Sequence, residues 1–272
     1  MLKPIRRLWR RSRRTSLPTR LALARLERLP RYTPGQITLG GWQIAYLDGD
    51  SLAKMYKLQM LEAYNDFRAA HPAPVILDCG ANIGVSVLRY KQLYPQAQIT
   101  AFEPDPALVA TLRGNLAQNQ RADVTVVPAA VWISEGALAF VRTTHPEAGH
   151  LDLAAAAPAE AVERVPTVDF AAYLQGPVDL VKLDIEGAEL AVLRHCAPQL
   201  HNVRQLFVEV HHRYHEPQAL AEIFALLAEA GLRVAVHQRF RLDYTKLIDS
   251  QPSTKFNQAL VVFAWRAAPV SG

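Results

Sequence analysis

From Pro74 onward, short apolar segments alternate with segments whose apolar residues recur at helical spacing, and this alternation constrains the fold most strongly. The pattern runs VILDC, VSVLRYKQLY, ITAFEP, PALVATLRGNLAQN, VTVVPAAV. It resumes from residue 178 with VDLVKLDIEG, AELAVLRHCAPQL, VRQLFVEVHH, PQALAEIFALLAEAG, LRVAVHQ and NQALVVFAW. Such alternation is typical of a parallel sheet covered by helices. We predict an α/β fold with a seven-stranded, mostly parallel sheet whose last strand is antiparallel.

Other segments define the predicted domains. QITLGGWQIAYL, at 36–47, predicts a hairpin turning at Gly40-Gly41, and SLAKMYKLQMLEAYNDF predicts a helix after it. WISEGALAFVRT predicts a second hairpin turning at Glu135-Gly136, followed by an Ala-rich loop over 144–163. We predict three parts: a basic N-terminal arm over 1–31, a cap of hairpin and helix over 32–73, and the main domain over 74–268.

Basic residues are concentrated in the arm. Residues 1–31 contain eleven Lys or Arg and one acid, whereas the rest of the chain has 19 basic and 24 acidic residues, so the net charge of +5 reflects the arm alone. We interpret it as a solvated arm. Binding to anionic lipid, binding to nucleic acid, and an organelle transit segment are the alternatives.

Hydropathy and cysteine content bear on location. The longest apolar runs, such as ALVVFAW at 259–265, are far shorter than the roughly 20 residues that span a bilayer. Cys79 and Cys196 lie in predicted core elements and do not suggest a disulfide scaffold. We expect a cytoplasmic protein, with peripheral membrane contact through the basic arm as an alternative.

The turn GANIG, between the first strand and helix of the main domain, predicts a ligand site. Glycines let backbone N–H groups approach a ligand, but the second and third glycines of the dinucleotide motif G-x-G-x-x-G are missing. Asp78, at the strand end, would repel a pyrophosphate and attract an ammonium group. Glu103 lies 19 residues after Gly84, where a second parallel strand brings an acid to ribose hydroxyls. These features favour S-adenosylmethionine, which carries an ammonium group and no phosphate.

Several motifs together resemble the FkbM family of S-adenosylmethionine-dependent methyltransferases over about residues 75–240. The K-x-D-x-E-G-x-E core within VKLDIEGAELAVL is long and unusual. The other matching segments are DCGANIGVS at 78–86, FEPDP at 102–106 with Asn115 downstream, the predicted strand and hairpin at 124–141, and Val168-Asp169. The resemblance implies a Rossmann-like class I methyltransferase fold and O-methylation of hydroxyls on sugars or natural products.

The resemblance also implies roles for the turn residues. Asp78, Gly80, Asn82 and Gly84 would line the methionine part of the cofactor, and Glu103 would hold its ribose. Asn82 stands where many other methyltransferases have glycine, but it agrees with this family. Asparagine tolerates left-handed backbone better than most residues, so it can serve there.

Charged residues at two strand ends predict a catalytic site. Lys182, Asp184 and Glu186 alternate in VDLVKLDIEG, and Glu209 and His211 alternate in FVEVHH. Side chains two residues apart share one face of a strand. Ligands bind open α/β sheets at the carboxyl ends of strands. We therefore expect Asp184, Glu186, Glu209 and His211 to lie close together.

Methyl transfer to an alcohol needs a group that takes the hydroxyl proton. His211 is the first candidate for this base and Asp184 the second, with Lys182 and Glu186 as further catalytic residues. Carboxylates at adjacent strand ends also suit Mg²⁺, so Asp184 and Glu209 are alternative metal ligands. Glu189 is assigned only a favourable interaction with the dipole of a helix over 188–200, and Asp169 only a helix N-cap.

We expect the acceptor to be a hydroxyl of a small molecule or glycan, in a pocket built from the cap and the loops at 144–163 and 240–256. The alternative function is a nucleic-acid-associated methyltransferase, or an RNA-binding protein, that uses the basic arm. Nucleic acid is the less favoured partner because the chain after residue 31 has no basic excess.

Overall fold

The computed structural model describes residues 15–141, 150–151, 162–212, 219–238 and 258–267. They form two compact units, one up to Pro128 and one from Ala129 onward, so the division falls inside the segment that the sequence assigns to one main domain. Seven strands, three from the first unit and four from the second, belong to one mostly parallel sheet. The predicted α/β fold class is confirmed.

From residue 15 to Pro128, the first unit contains a hairpin, four α-helices and three parallel strands. In chain order these are α1 (Leu17–Leu26), β1 (Gly35–Leu39), β2 (Trp42–Tyr46), α2 (Gly49–Tyr56), β3 (Val75–Cys79), α3 (Val85–Leu93), β4 (Gln98–Phe102), α4 (Pro106–Gln118) and β5 (Thr125–Val127). The strands lie in the order β3-β4-β5. Their consecutive order follows from the helices α3 and α4, which provide the crossovers that parallel strands require.

The predicted hairpin is confirmed, with Gly40 and Gly41 at φ +58° and +91° in its turn. Glycine adopts this left-handed backbone without the strain that a Cβ would bring. The hairpin is attached to α4 through Asn115, which is fully buried. The Asn115 side chain accepts from the Ala45 N–H at 2.7 Å and donates to the Ala45 and Ile83 carbonyls at 3.0 and 2.8 Å.

The helix predicted over 51–67 is shorter than its apolar spacing indicates. The α-helix α2 ends at Tyr56 and continues as a π-helical turn over Lys57–Leu61. There the Glu62 N–H donates to the Lys57 carbonyl at 2.9 Å. Ala63 then adopts a left-handed backbone with φ +55° and ends the helical path.

Part of the predicted basic arm is folded. Ser16 caps α1, on which Leu23 and Leu26 are buried while Leu17 and Leu21 are exposed. Helix α1 packs against α2. Residues 1–14, which hold most of the basic charge, lie outside the described residues.

The second unit contains the other four strands of the main sheet. Its elements are β6 (Ala130–Trp132), β7 (Gly136–Val141), β8 (His150–Leu151), β9 (Val162–Asp169), a 3₁₀-helix (Phe170–Leu174), β10 (Leu180–Leu183), α5 (Glu189–His195), a 3₁₀-helix (Ala197–Asn202), β11 (Gln205–His212), α6 (Leu220–Glu229), β12 (Arg233–Gln238) and β13 (Gln258–Trp265). The main-sheet strands lie in the order β10-β11-β13-β12. β13 is antiparallel to both neighbours, as predicted for the last strand.

A second sheet of four strands, ordered β6-β9-β7-β8, was not predicted. The predicted hairpin at Glu135-Gly136 is wrong, because β9 lies between β6 and β7 and pairs with both. VTVVPAAV is also two strands, β5 and β6, rather than one. Pro128 lies between them and lacks the N–H that a continuous ladder needs.

Neither cysteine forms a disulfide, and both Cys79 and Cys196 are buried, as expected. Burial raises the pKa of the Cys196 thiol to about 12, and Asp169 adds to this effect. No described helix has both the length and the apolar content needed to cross a membrane.

Asp48 attaches the segment after α1 to the start of α2. Its side chain is almost completely buried. It accepts hydrogen bonds from the Tyr32 N–H at 2.6 Å, from Arg31 Nε at 2.9 Å and from the Ser51 N–H at 2.9 Å. Burial alone would raise the pKa of the Asp48 carboxyl, but these hydrogen bonds outweigh it and hold the pKa well below its usual range.

Replacing Asp48 with Asn should lower the free energy of unfolding by about 1–3 kcal/mol, because the new NH₂ group would face buried donors. Because folding lowers the pKa of Asp48, its carboxylate stabilises the folded state fully above the unfolded pKa of about 3.9. This stabilisation is lost as the pH falls from that value through the lower pKa of the folded state. Urea unfolding of both proteins at neutral and acidic pH measures this loss. Asp50→Asn, at a more exposed ion pair, is the control and should cost less. Equal stability of the Asp48→Asn variant and the wild type at neutral pH would contradict the assignment.

Candidate active site

The turn after β3 has left-handed backbone at three positions. Gly80, Asn82 and Gly84 have φ +78°, +51° and +90°. The N–H groups of Gly80 and Ala81 both donate to the Phe102 carbonyl at 3.0 Å, which ties the turn to the end of β4. The asparagine therefore adopts the left-handed conformation that its position in the motif requires.

Glu103 and Asn82 stabilise this turn with their side chains. Glu103, 5% exposed, accepts from the Asn82 N–H at 2.9 Å and from the Asp105 N–H at 3.0 Å, one with each carboxylate oxygen. The Asn82 side-chain oxygen accepts from the Ile83 N–H at 2.8 Å. Glu103, the residue predicted to hold the ribose, is thus positioned by backbone N–H groups.

Asp78 is fully buried at the end of β3. One of its carboxylate oxygens accepts from the Ser86 hydroxyl at 2.5 Å, so the first turn of α3 holds the strand end. Ser86 was not singled out from the sequence, although it is the last residue of the motif DCGANIGVS.

The chemistry of these groups fits S-adenosylmethionine better than a nucleotide phosphate. Asp78 and Glu103 place two buried carboxylates at one turn, and these would repel a phosphate. A positively charged amino-acid moiety and ribose hydroxyls are complementary to carboxylates. The turn residues that could hold the cofactor are those that the sequence predicts: Asp78, Gly80, Asn82, Gly84 and Glu103.

In the second unit, β10 ends one residue before Asp184, earlier than the alternating pattern indicates. Lys182 is 2% exposed within β10, and its Nζ lies 3.3 Å from a carboxylate oxygen of Asp184. Glu186 lies beyond the strand in a turn, with φ +55°, and Gly187 follows with φ +101°. Ile185 and Ala188 pack against the apolar face of the second sheet, which supports this turn.

Glu189 has a larger role than the predicted interaction with the helix dipole. It is 2% exposed, and its carboxylate accepts from the N–H groups of Ile185 at 3.2 Å and Gly187 at 3.1 Å. The same carboxylate lies 3.1 Å from Nδ1 of His211 on β11. The sequence places Glu189 at the start of a helix but carries no signal for its contact with His211.

His211 lies among the carboxylates that the sequence predicts to converge. With Nδ1 directed to Glu189, its Nε2 lies 3.5 Å from Glu186, 3.9 Å from Glu209 and 4.0 Å from Asp184. The His211 side chain is 8% exposed, and Glu209, two residues earlier on the same strand face, is 3% exposed. We call the set Lys182, Asp184, Glu186, Glu189, Glu209 and His211 the carboxylate–histidine cluster.

The pKa values of Glu186 and His211 are both raised in this cluster, which contains more acids than bases. Burial raises the pKa of Glu186 to about 8, assisted by Asp184, Glu189 and Glu209, while His211 opposes this. Burial lowers the pKa of His211, but Glu186, Glu189 and Asp184 outweigh it and raise that pKa to about 10. These shifts favour the protonated form of the His211 ring at neutral pH.

The geometry of the cluster could also hold a metal cation. Asp184, Glu186 and His211 each offer one ligand atom, and these atoms lie within 4.8 Å of one another. Glu209, which we predict to be a metal ligand with Asp184, has an oxygen at 3.9 Å from His211 Nε2.

Asp169 is confirmed as an N-cap. It accepts from the Ala171 N–H at 3.0 Å at the start of the 3₁₀-helix. It also lies 2.9 Å from Nε2 of His195, a half-exposed contact that was not predicted.

Comparison with known proteins finds similarity to methyltransferases. The family model described as "Methyltransferase FkbM domain" matches residues 78–234, which include both the turn and the cluster. The chain is similar to methyltransferase sdnD of Sordaria araneosa, with 30% identity over 196 residues that cover 59% of this chain and 74% of the relative.

Two further similarities cover less of the matched proteins. A 45-residue segment is 51% identical to 2-O-methyltransferase NoeI of Sinorhizobium fredii, covering 16% of this chain and 18% of that protein. A crystal structure of methyltransferase FkbM from Methylobacillus flagellatus is similar with a TM-score of 0.49 and 16% identity. That match covers 76% of this chain and 47% of the solved chain.

Replacing Glu189 with Gln should lower the pKa of His211 by about 1 or more, because a carboxylate in direct contact is removed while the hydrogen-bonding shape is kept. A pH titration of the imidazole ¹⁵N resonances measures this change. Glu222→Gln, which alters an exposed pair with Arg194, is the control and should leave His211 unchanged. An unchanged His211 pKa in the Glu189 variant would refute the proposed contact.

Proposed function

Because this chain belongs to the FkbM methyltransferase family, we propose that it is an S-adenosylmethionine-dependent O-methyltransferase acting on a hydroxyl of a sugar, glycan or natural product. The observation that carries the proposal is the carboxylate–histidine cluster, which offers proton acceptors at the carboxyl ends of β10 and β11. Aliphatic hydroxyls are poor nucleophiles at neutral pH and need such a group. The similarity of a short segment to NoeI, a 2-O-methyltransferase, agrees with transfer to oxygen.

In this proposal the first unit binds the methyl donor. Asp78 accepts a hydrogen bond from its ammonium group, and Glu103 accepts from its ribose hydroxyls. The left-handed turn at Gly80, Asn82 and Gly84 allows the backbone to approach the methionine part closely. When bound, the cofactor would supply a methyl group that is attached to a positively charged sulfur and can be transferred to the oxygen of an acceptor.

Asp184 takes the acceptor's proton in this mechanism. Its side chain is 26% exposed, more than those of Glu186, Glu189 and Glu209, so it is the carboxylate of the cluster most open to a substrate. The Lys182 ammonium at 3.3 Å stabilises its charged form before the proton arrives. His211, held as an imidazolium by Glu189, positions the surrounding carboxylates and offsets part of their charge. For His211 to take the proton of the acceptor hydroxyl instead, its ring must first be neutral, which requires less negative charge on the carboxylates around it.

Mg²⁺ bound by the cluster is our second proposal for these residues. It rests on the ligand atoms of Asp184, Glu186 and His211, with Glu209 nearby. A divalent cation would favour the neutral imidazole and would also polarise an acceptor hydroxyl. Activity should then be lost on exhaustive chelation and return with added Mg²⁺. Full activity after chelation, with no response to Mg²⁺, would exclude this role.

Asp184→Asn should lower kcat by about 10²–10⁴-fold, because an amide cannot take the hydroxyl proton. The affinity for S-adenosylhomocysteine should remain near that of the wild type. Release of S-adenosylhomocysteine during incubation with a panel of methyl glycosides and alcohols measures turnover, and Glu222→Gln is the matched control outside the cluster. Turnover by Asp184→Asn within a few-fold of the wild type would show that another group takes the proton.

A further inference from the structure

Helix α1 exposes two leucines to solvent. Leu17 and Leu21 are 66% and 63% exposed, more than any other large apolar side chain in the described part of the chain. They are four residues apart, so they are neighbours on one face of the helix. Moving apolar surface out of water is favourable, so this pair is suited to contact with an apolar partner.

Contacts with α2 fix the direction in which this face points. On the opposite face of α1, Leu23 and Leu26 are 3% and 1% exposed, and the helix packs there against α2. The two helices approach so closely that a Cβ added at Gly49 would lie 2.9 Å from the Leu26 carbonyl oxygen. Glu27, at the end of α1, forms an ion pair with Lys57, at the end of α2. Helix α1 therefore has two apolar faces, one of them buried and the other exposed.

Arginines border the two exposed leucines. Arg20 follows the first leucine by three residues, and Arg25 follows the second by four, so each lies beside a leucine on the helix surface. Both arginines are exposed, as is Arg28 just after the helix. Glu27 does not neutralise them, because it is paired with Lys57. We call the set Leu17, Arg20, Leu21, Arg25 and Arg28 the α1 face.

The sequence before α1 adds to the positive charge. Residues 1–14 contain seven Lys or Arg and no Asp or Glu. They also contain Trp9, a residue type that favours the boundary between lipid and water. Cations next to exposed apolar side chains complement an anionic lipid surface, which offers negative headgroups above an apolar layer.

We propose that the α1 face binds the surface of a membrane that contains anionic lipids. The two leucines enter the boundary between headgroups and acyl chains, and the arginines contact the lipid phosphates. Arginine is suited to this position, because its aliphatic stem lies along apolar surface while its guanidinium reaches a phosphate. A nucleic acid would also attract the arginines, but its charged backbone offers no apolar layer to the leucines. The lipid surface therefore accounts for more of the α1 face.

Co-sedimentation of the 272-residue chain with vesicles tests this proposal. One vesicle population contains phosphatidylcholine alone, and the other contains equal parts of phosphatidylcholine and phosphatidylglycerol. We expect binding to the anionic vesicles, and binding weaker by about tenfold or more to the neutral ones. Raising NaCl from about 0.1 M to about 1 M should weaken the anionic binding, because it shortens the screening length from about 10 Å to about 3 Å. Equal binding to both populations, or binding to neither, would overturn the proposal.

The double variant Leu17→Gln/Leu21→Gln tests whether the leucines enter the lipid. Its Tm should equal that of the wild type, because both side chains are exposed and glutamine is a good helix former. Its affinity for the anionic vesicles should fall by about tenfold or more. The matched control is Ile133→Gln/Val236→Gln, which removes two exposed apolar side chains from the second unit and should bind like the wild type. Equal vesicle affinity of the two double variants would contradict the proposal.

The triple variant Arg20→Gln/Arg25→Gln/Arg28→Gln tests the charged part of the α1 face and replaces the leucine variant if that does not fold. Its binding to the anionic vesicles should be weaker than that of the wild type by about tenfold or more, with an unchanged affinity for S-adenosylhomocysteine. Unchanged vesicle binding would overturn the proposal. Two other results would do so as well. A lower Tm of the leucine variant with unchanged vesicle binding would show that the leucines pack within the chain. Tighter binding to oligouridylate than to the anionic vesicles, retained in the leucine variant, would assign the arginines to nucleic acid.

Discussion

In each unit, the candidate functional residues depend on a carboxylate that accepts hydrogen bonds from the backbone of a turn at the end of a parallel strand. After β3, Glu103 accepts from the N–H of Asn82. After β10, Glu189 accepts from the N–H of Gly187, next to the left-handed Glu186. A non-glycine residue with positive φ is strained and needs such support. The same local device therefore builds the proposed cofactor turn and the catalytic turn.

The cluster in the second unit combines this support with an excess of negative charge. The carboxylate–histidine cluster contains four carboxyl groups and two groups that can carry positive charge, Lys182 and the His211 ring. This excess of acids favours the binding of protons and cations. Buried charges cost free energy unless they are paired, so burial, together with the neighbouring carboxylates, raises the pKa of Glu186, while the carboxylates around His211 raise the pKa of its ring. In the proposed function, a carboxylate of this cluster accepts the proton of the acceptor hydroxyl.

Sequence reasoning predicted features that local chemistry determines. The left-handed Asn82 follows from its backbone tolerance, and the shared face of Glu209 and His211 follows from the period of a strand. The pairing of β9 with both β6 and β7 was missed because it joins residues about 30 apart with no local signal. The contact between Glu189 and His211 was missed for the same reason, as 22 residues separate them. The π-helical turn at Lys57–Leu61 was missed because its apolar spacing resembles that of an α-helix.

The most direct test of this account is calorimetric titration of S-adenosylmethionine and S-adenosylhomocysteine into the wild type and a Glu103→Gln variant. Both ligands should bind the wild type saturably. Binding to the variant should be weakened by about tenfold or more, because a charged acceptor for the ribose hydroxyls is lost. Absence of binding of both ligands to the folded wild type would contradict the assignment of this turn to the methyl donor.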